Sequence, residues 1–127
     1  MTAPRIGRLV DVEKLAVAWL TARGRDAGTH RPSPLRDGFV WVTGVGGPSD
    51  YDTALLRVDL HTFHAGSDGA AMPTAELVHG DMAALGGQTV DGQPVHTVFC
   101  SAYPTRRFWA DGMDRVVATY ELDLPVL

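Results

Sequence analysis

Five histidines, one cysteine and several paired carboxylates are the side chains here that could carry reaction chemistry. His61 and His64 lie three apart, but the segment around them alternates like a strand, which sends the two to opposite faces. His79 and His96 fall in different predicted elements, and no HExxH or CxxC spacing supports a metal set. Cys100 and His96 share a strand face, yet four extended residues separate them by more than a hydrogen bond. Cys100 therefore reads as a small buried hydrophobe. Asp50 with Asp52, and Asp111 with Asp114, look like carboxylate dyads but sit in predicted loops with no apolar pocket to raise a pKa. They read as solvated turn residues. Thr43–Gly47 (TGVGG) has the glycines of a phosphate-binding turn, but Pro48 and another strand follow it instead of a helix, so it reads as a flexible loop. The sequence thus assigns no catalytic residue, no metal ligand and no cofactor site.

A different chemistry attends Arg106–Asp114. Phe108 and Trp109 adjoin Arg106 and Arg107, with Asp111 in the turn beyond, at the predicted tip of a hairpin. Large aromatics beside arginines have the composition of a binding hot spot. The competing reading folds Trp109 back onto its own sheet.

Two alternating stretches must position these groups. In Ala54–Ala65 (ALLRVDLHTFHA), Leu56, Val58 and Leu60 share one strand face, and Arg57, Asp59 and His61 share the other. In Arg115–Leu124, Val116, Ala118, Tyr120, Leu122 and Leu124 alternate with Arg115, Thr119, Glu121 and Asp123. Two such strands predict an antiparallel sheet with one face on the core and a charged face open to water or protein. On that open face, Arg57, Asp59, His61, Arg115 and Glu121 are candidates for a subunit contact, unless they pair across strands within the sheet.

The remaining elements support that sheet. Asp11 as N-cap, then Val12, Leu15, Ala16, Trp19 and Leu20, mark an amphipathic helix ended by Gly24. Arg25–Gly38 reads as a surface loop, and Phe39–Val45 as a strand. A second helix carries Ala75, Val78, Met82 and Leu85, with Ser67, Asp68 or Thr74 as its start. Asp91-Gly92 marks a tight turn, and Val95–Tyr103 a strand whose Pro104 requires an edge or a bulge. Leu15 and Trp19 are expected to meet the apolar faces of the strands.

The expected architecture is a single α+β domain over residues 1–127, ordered α-β-β-α-β-β, with a polar arm at residues 1–8. Its four-stranded, mainly antiparallel sheet carries two helices on one face. Hydrophobic residues make up 45% of the chain, enough for a real core, and the net charge of −4 argues against general nucleic-acid binding. The single cysteine excludes a disulfide framework, and neither a signal-peptide pattern nor an apolar run long enough to span a membrane is present. Synthesis as a soluble intracellular protein is expected.

The ordered set DVEKLAVAWL, FVWVTGVGG, ALLRVDLHTFHA, TAELVHGDMAAL and PTRRFWADGMDRVVATYELDL resembles the tail terminator proteins of long-tailed phages over most of residues 9–124. The similarity is strongest at RRFWADGMDRVVATYELDL, which looks like that family's last hairpin. The resemblance implies a structural virion protein at the head–tail junction, assembled in the host cytoplasm. Six copies would form a ring that caps the tail tube, stops its polymerisation and presents the tail to a head-completion (stopper) connector. Genomic DNA would slide through the lumen without specific binding. The partners implied are other copies of the chain, the tail tube protein and the connector. Alternatives are another neck component, or a small α+β enzyme or ligand-binding domain using His61, His64 or Cys100.

Overall fold

The computed structural model describes residues 9–50 and 52–125. The proposed arm at residues 1–8 lies outside them. In chain order the elements are α1 (Val12–Ala22), β1 (Asp26–Gly28), β2 (Phe39–Gly46), β3 (Thr53–Ala65), α2 (Met72–Ala83), β4 (Thr89–Val90), β5 (Gln93–Pro94), β6 (Thr97–Arg106) and β7 (Met113–Pro125). The main sheet has five strands in the order β1-β2-β3-β7-β6, one more than expected. The extra strand is β1, three residues inside the expected surface loop, paired parallel to β2. Three residues carry too little periodicity to register as a strand in sequence. The Asp91-Gly92 turn forms as expected, with φ of +49° and +79°, and joins β4 and β5 into a separate two-stranded hairpin.

The centre of the sheet is the β3–β7 ladder. Its thirteen antiparallel pairs run from Thr53 opposite Pro125 to Ala65 opposite Met113. Alternation then decides what each face holds. Val58, Leu60, Val116, Ala118, Tyr120 and Leu122 are buried beneath the helices, while Leu56 is only half-buried. Their partners from α1 are Val12, Leu15, Ala16 and Leu20, and from α2 Val78 and Met82, except that Val116 packs separately with Ala71, Met72 and Ala75. Trp19 reaches the same cluster half-buried, its indole N–H donating to the Asp81 carbonyl at 2.7 Å.

Local chemistry explains the ends of the helices. Asp11 caps α1 by accepting the Lys14 N–H at 3.1 Å, and Gly24, at φ +87°, turns the chain out of it. The second helix begins at Met72, with none of the three expected side chains as its cap. Its cap comes from a distance: Asp114 on β7 accepts the N–H groups of Ala71 at 2.9 Å and Gly69 at 3.2 Å. Asp114 is accordingly buried, not the solvated turn residue its sequence position suggested.

The glycines of TGVGG serve packing. Gly44 donates its N–H to Glu13 at 3.0 Å, and a Cβ there would press on Val12 and Glu13 of α1. A Cβ on Gly47 would collide with the Leu55 carbonyl. Close backbone approach, not flexibility, selects glycine at both positions.

β6 is an edge strand, and its register shifts between Cys100 and Ala102 and again between Ala102 and Thr105, around Pro104. Cys100 is exposed on this edge, contrary to the expected buried role. Its Sγ–H donates to the Ala102 carbonyl at 3.4 Å, and partial burial pushes the thiol above its ordinary value, which disfavours the reactive thiolate.

Candidate functional site

Among the described residues, no helix covers the face that carries Arg57, Asp59, His61 and Phe63 on β3 and Arg115, Val117, Thr119 and Glu121 on β7. In its middle the charges are satisfied inside the sheet. Arg57 donates to Glu121, its register partner, at 3.1 Å. Asp59 accepts the hydroxyl of Thr119, also its register partner, at 2.6 Å. Both are cross-strand pairs within one copy.

One end of the face is built differently. The Arg31 guanidinium lies between Trp41 of β2 and Trp109 of the β6–β7 connection, 4.8 Å from each ring centroid. Arg115 covers Trp109 as well, at 5.0 Å, and Phe63 meets the Trp109 ring edge-on at 5.2 Å. Guanidinium and indole attract because the ring face is negative, and partial removal from water strengthens that attraction. The loop holding Arg31 is pinned at both ends. Arg36 grips Asp26 through two hydrogen bonds of 2.7 and 2.9 Å, and the Trp41 indole N–H donates to the Thr29 carbonyl at 3.2 Å. The Arg36 guanidinium holds the Asp26 carboxyl below the usual carboxylate range. An open groove of about 510 Å³ runs between this loop and the two tryptophans.

The hairpin tip divides its five candidate residues. Phe108 is 81% exposed, whereas Trp109 is half-buried on its own sheet. Arg106 is engaged by Asp68 at 2.5 Å and Asp114 at 3.5 Å. Arg107 and Asp111 are exposed, and no ion pair engages either among the described residues. Arg115 donates to the carbonyls of Arg107 and Phe108, both at 3.3 Å, which fixes the tip against β7. Burial, followed by repulsion from Arg107 and Arg31, lowers its pKa.

His61 faces this cluster. Its ring packs on Trp41 with centroids 4.6 Å apart, Nε2 lies 3.4 Å from the Thr43 hydroxyl, and Nδ1 is buried with no hydrogen-bond partner. Burial and the charges of Arg115 and Arg31 push its pKa down, against an opposing pull from Asp59. A second proton would have no acceptor at Nδ1, so this is a neutral packing histidine.

Other candidate chemistry is dispersed. His79 Nδ1 lies 2.7 Å from the Tyr120 hydroxyl on the helix side of the sheet, and burial raises the Tyr120 pKa. Asp50 accepts the backbone N–H groups of Thr53 and Asp52, both at 2.8 Å, and these bonds lower its pKa. Among the described residues no three acidic, histidine or cysteine side chains gather as a metal set. Sequence reasoning missed Arg31 as the partner shared by Trp41 and Trp109, and Asp81, which is buried on α2 and binds Arg23 at 3.1 Å and Arg25 at 2.6 Å.

Neither a protein-family model nor a curated sequence matches the chain.

Two outcomes follow from this geometry. Full burial makes Trp→Ala cost roughly 3–5 kcal/mol, so half-buried Trp109→Ala should cost about 2 kcal/mol in denaturant unfolding. Phe108→Ala should stay within about 0.5 kcal/mol. Because the His61 pKa is lower folded than unfolded, the unfolded chain binds the extra proton first. Stability should therefore fall as pH drops below the ordinary imidazole value of 6.5, and His61→Gln should flatten that slope in urea melts across the window.

Proposed function

We propose that this chain is a structural assembly protein of the tail-terminator kind, acting as a ring that caps a phage tail tube and joins it to the head connector. One observation carries the reading: among the described residues, a sheet with thirteen-pair central strands has helices on one face only, and its other face and β6 edge carry no further element. The β6 edge adds exposed Phe99 and Tyr103, and the adjoining tip adds Phe108, so apolar groups line a surface that the single copy leaves in water. The order of elements, two helices and a long final hairpin, agrees with the tail-terminator resemblance of residues 9–124. In this reading the ring comprises six copies, one surface meets the last tube ring and the opposite surface meets the stopper, and DNA passes through. A net charge of −4 suits a lumen that does not hold phosphates.

The test is tube capping. Purified chain added to polymerising tail tube protein should shorten the tubes seen by electron microscopy, with density at one end. Light scattering should give a ring near six protomers, or a monomer that assembles only on tubes. Unaltered tube length, together with a monomer that binds metal or turns over a substrate, would contradict the reading.

A further inference from the structure

Among the described residues, the arginines at the tryptophan end have no acidic partner in their own copy. Five of the described arginines are held by carboxylates: Arg23 and Arg25 by Asp81, Arg36 by Asp26, Arg57 by Glu121, and Arg106 by Asp68 and Asp114. Among the described residues no ion pair engages Arg31, Arg107 or Arg115. These three gather at one place: Arg31 and Arg115 both lie over the Trp109 ring, and Arg115 donates to the Arg107 carbonyl. Three uncompensated guanidiniums in a chain with an excess of acids call for carboxylates from outside.

Carboxylates without basic partners stand at the other end of the same face. Asp123 is the register partner of Leu55, eight residues along β3 from Phe63, which is opposite Arg115. At about 3.4 Å per residue the two ends are roughly 27 Å apart, too far for contact within one copy. An open groove of about 310 Å³ at this second end is bordered by Asp50, Thr53, Leu55 and Asp123, with exposed Asp52 beside it. Among the described residues no ion pair engages Asp50, Asp52 or Asp123. The Asp50 carboxylate is already fixed by its turn, so it meets a partner without further ordering.

We propose that these two ends are the halves of one head-to-tail contact between copies of this chain, the arginine–tryptophan end of one copy seating on the aspartate end of the next. The proposal rests on the ring reading and says which surfaces would close it. Different patches meeting is the heterologous arrangement that rings require. It also explains why the middle of the face is neutralised internally while its ends are not. A nucleic-acid strand fits the arginine end less well, because guanidiniums already cover Trp109 on behalf of Arg31 and Arg115, and Arg31 covers Trp41. Bases need those ring faces for stacking.

Charge exchange tests it by sedimentation of the full chain over a wide concentration range. Arg31→Glu with Arg107→Glu should weaken self-association at least tenfold, as should Asp52→Lys with Asp123→Lys. All four changes in one chain should restore it, because each reversed end then meets its reversed complement on the next copy. Thermal melts identify a variant that fails to fold, and Arg107→Glu with Asp52→Lys, made singly and together, replaces it on exposed positions. Wild-type self-association unaffected by either pair, or a four-fold variant no better than the pairs, would overturn the contact. So would a wild-type chain that stays monomeric both alone and in the presence of tail tubes. A monomer that binds a fluorescent poly-glutamate peptide, and loses it on Arg107→Glu, would overturn it in favour of another protein's acidic segment. Tube capping is scored separately, so the contact can fail while the terminator reading stands.

Discussion

Everything in this protein hangs on the ladder between β3 and β7. Thirteen consecutive pairs fix the register of both strands, and with a side-chain period of two a slip of one residue would turn the core outward. The helix side of the ladder is filled by Val58, Leu60, Ala118, Tyr120 and Leu122, all buried with α1 and α2 upon them. The ladder also carries the cap of α2, because Asp114 at its start accepts the N–H groups of Gly69 and Ala71. Helix placement and strand register are therefore one constraint.

The same register arranges the opposite face as a gradient of satisfaction. Arg57 meets Glu121 and Asp59 meets Thr119 directly across the ladder, so the middle is closed to further ionic chemistry. Towards the β3 C-terminus the pairing partners become Phe63 and Arg115, and the neighbouring loop lays Arg31 between two indoles. Cation–π contact orders these arginines without neutralising them. Arginine held rigid yet still charged is well suited to recognition, since little side-chain entropy remains to be lost when a partner arrives.

Long-period patterns were legible in the sequence; short or distant ones were not. The α1 stripe, both ladder strands, the Asp91-Gly92 turn and the irregularity around Pro104 appear where periodicity and turn chemistry place them. β1 escaped because three residues have no measurable period, and the start of α2 escaped because its cap lies more than forty residues away on β7. Residue type alone places Cys100 inward, whereas the register shifts of an edge strand leave it exposed. Trp109 was conspicuous as a large aromatic beside two arginines at a hairpin tip. Its partner Arg31 was not, because nothing local to Pro-rich residues 29–35 signals a loop that folds over a strand.

The central claim is that the helix-covered face serves folding and the open face serves association. Hydrogen–deuterium exchange of the protein, free and assembled, tests it most directly, since exchange reads backbone opening segment by segment. In the free chain the β3 and β7 amides should exchange slowest. On assembly, new protection should appear in residues 29–35, 106–112, 48–53 and 123–125, while α1 and α2 stay unchanged. Protection gained on the helices, with the two ends of the open face unaltered, would contradict the account.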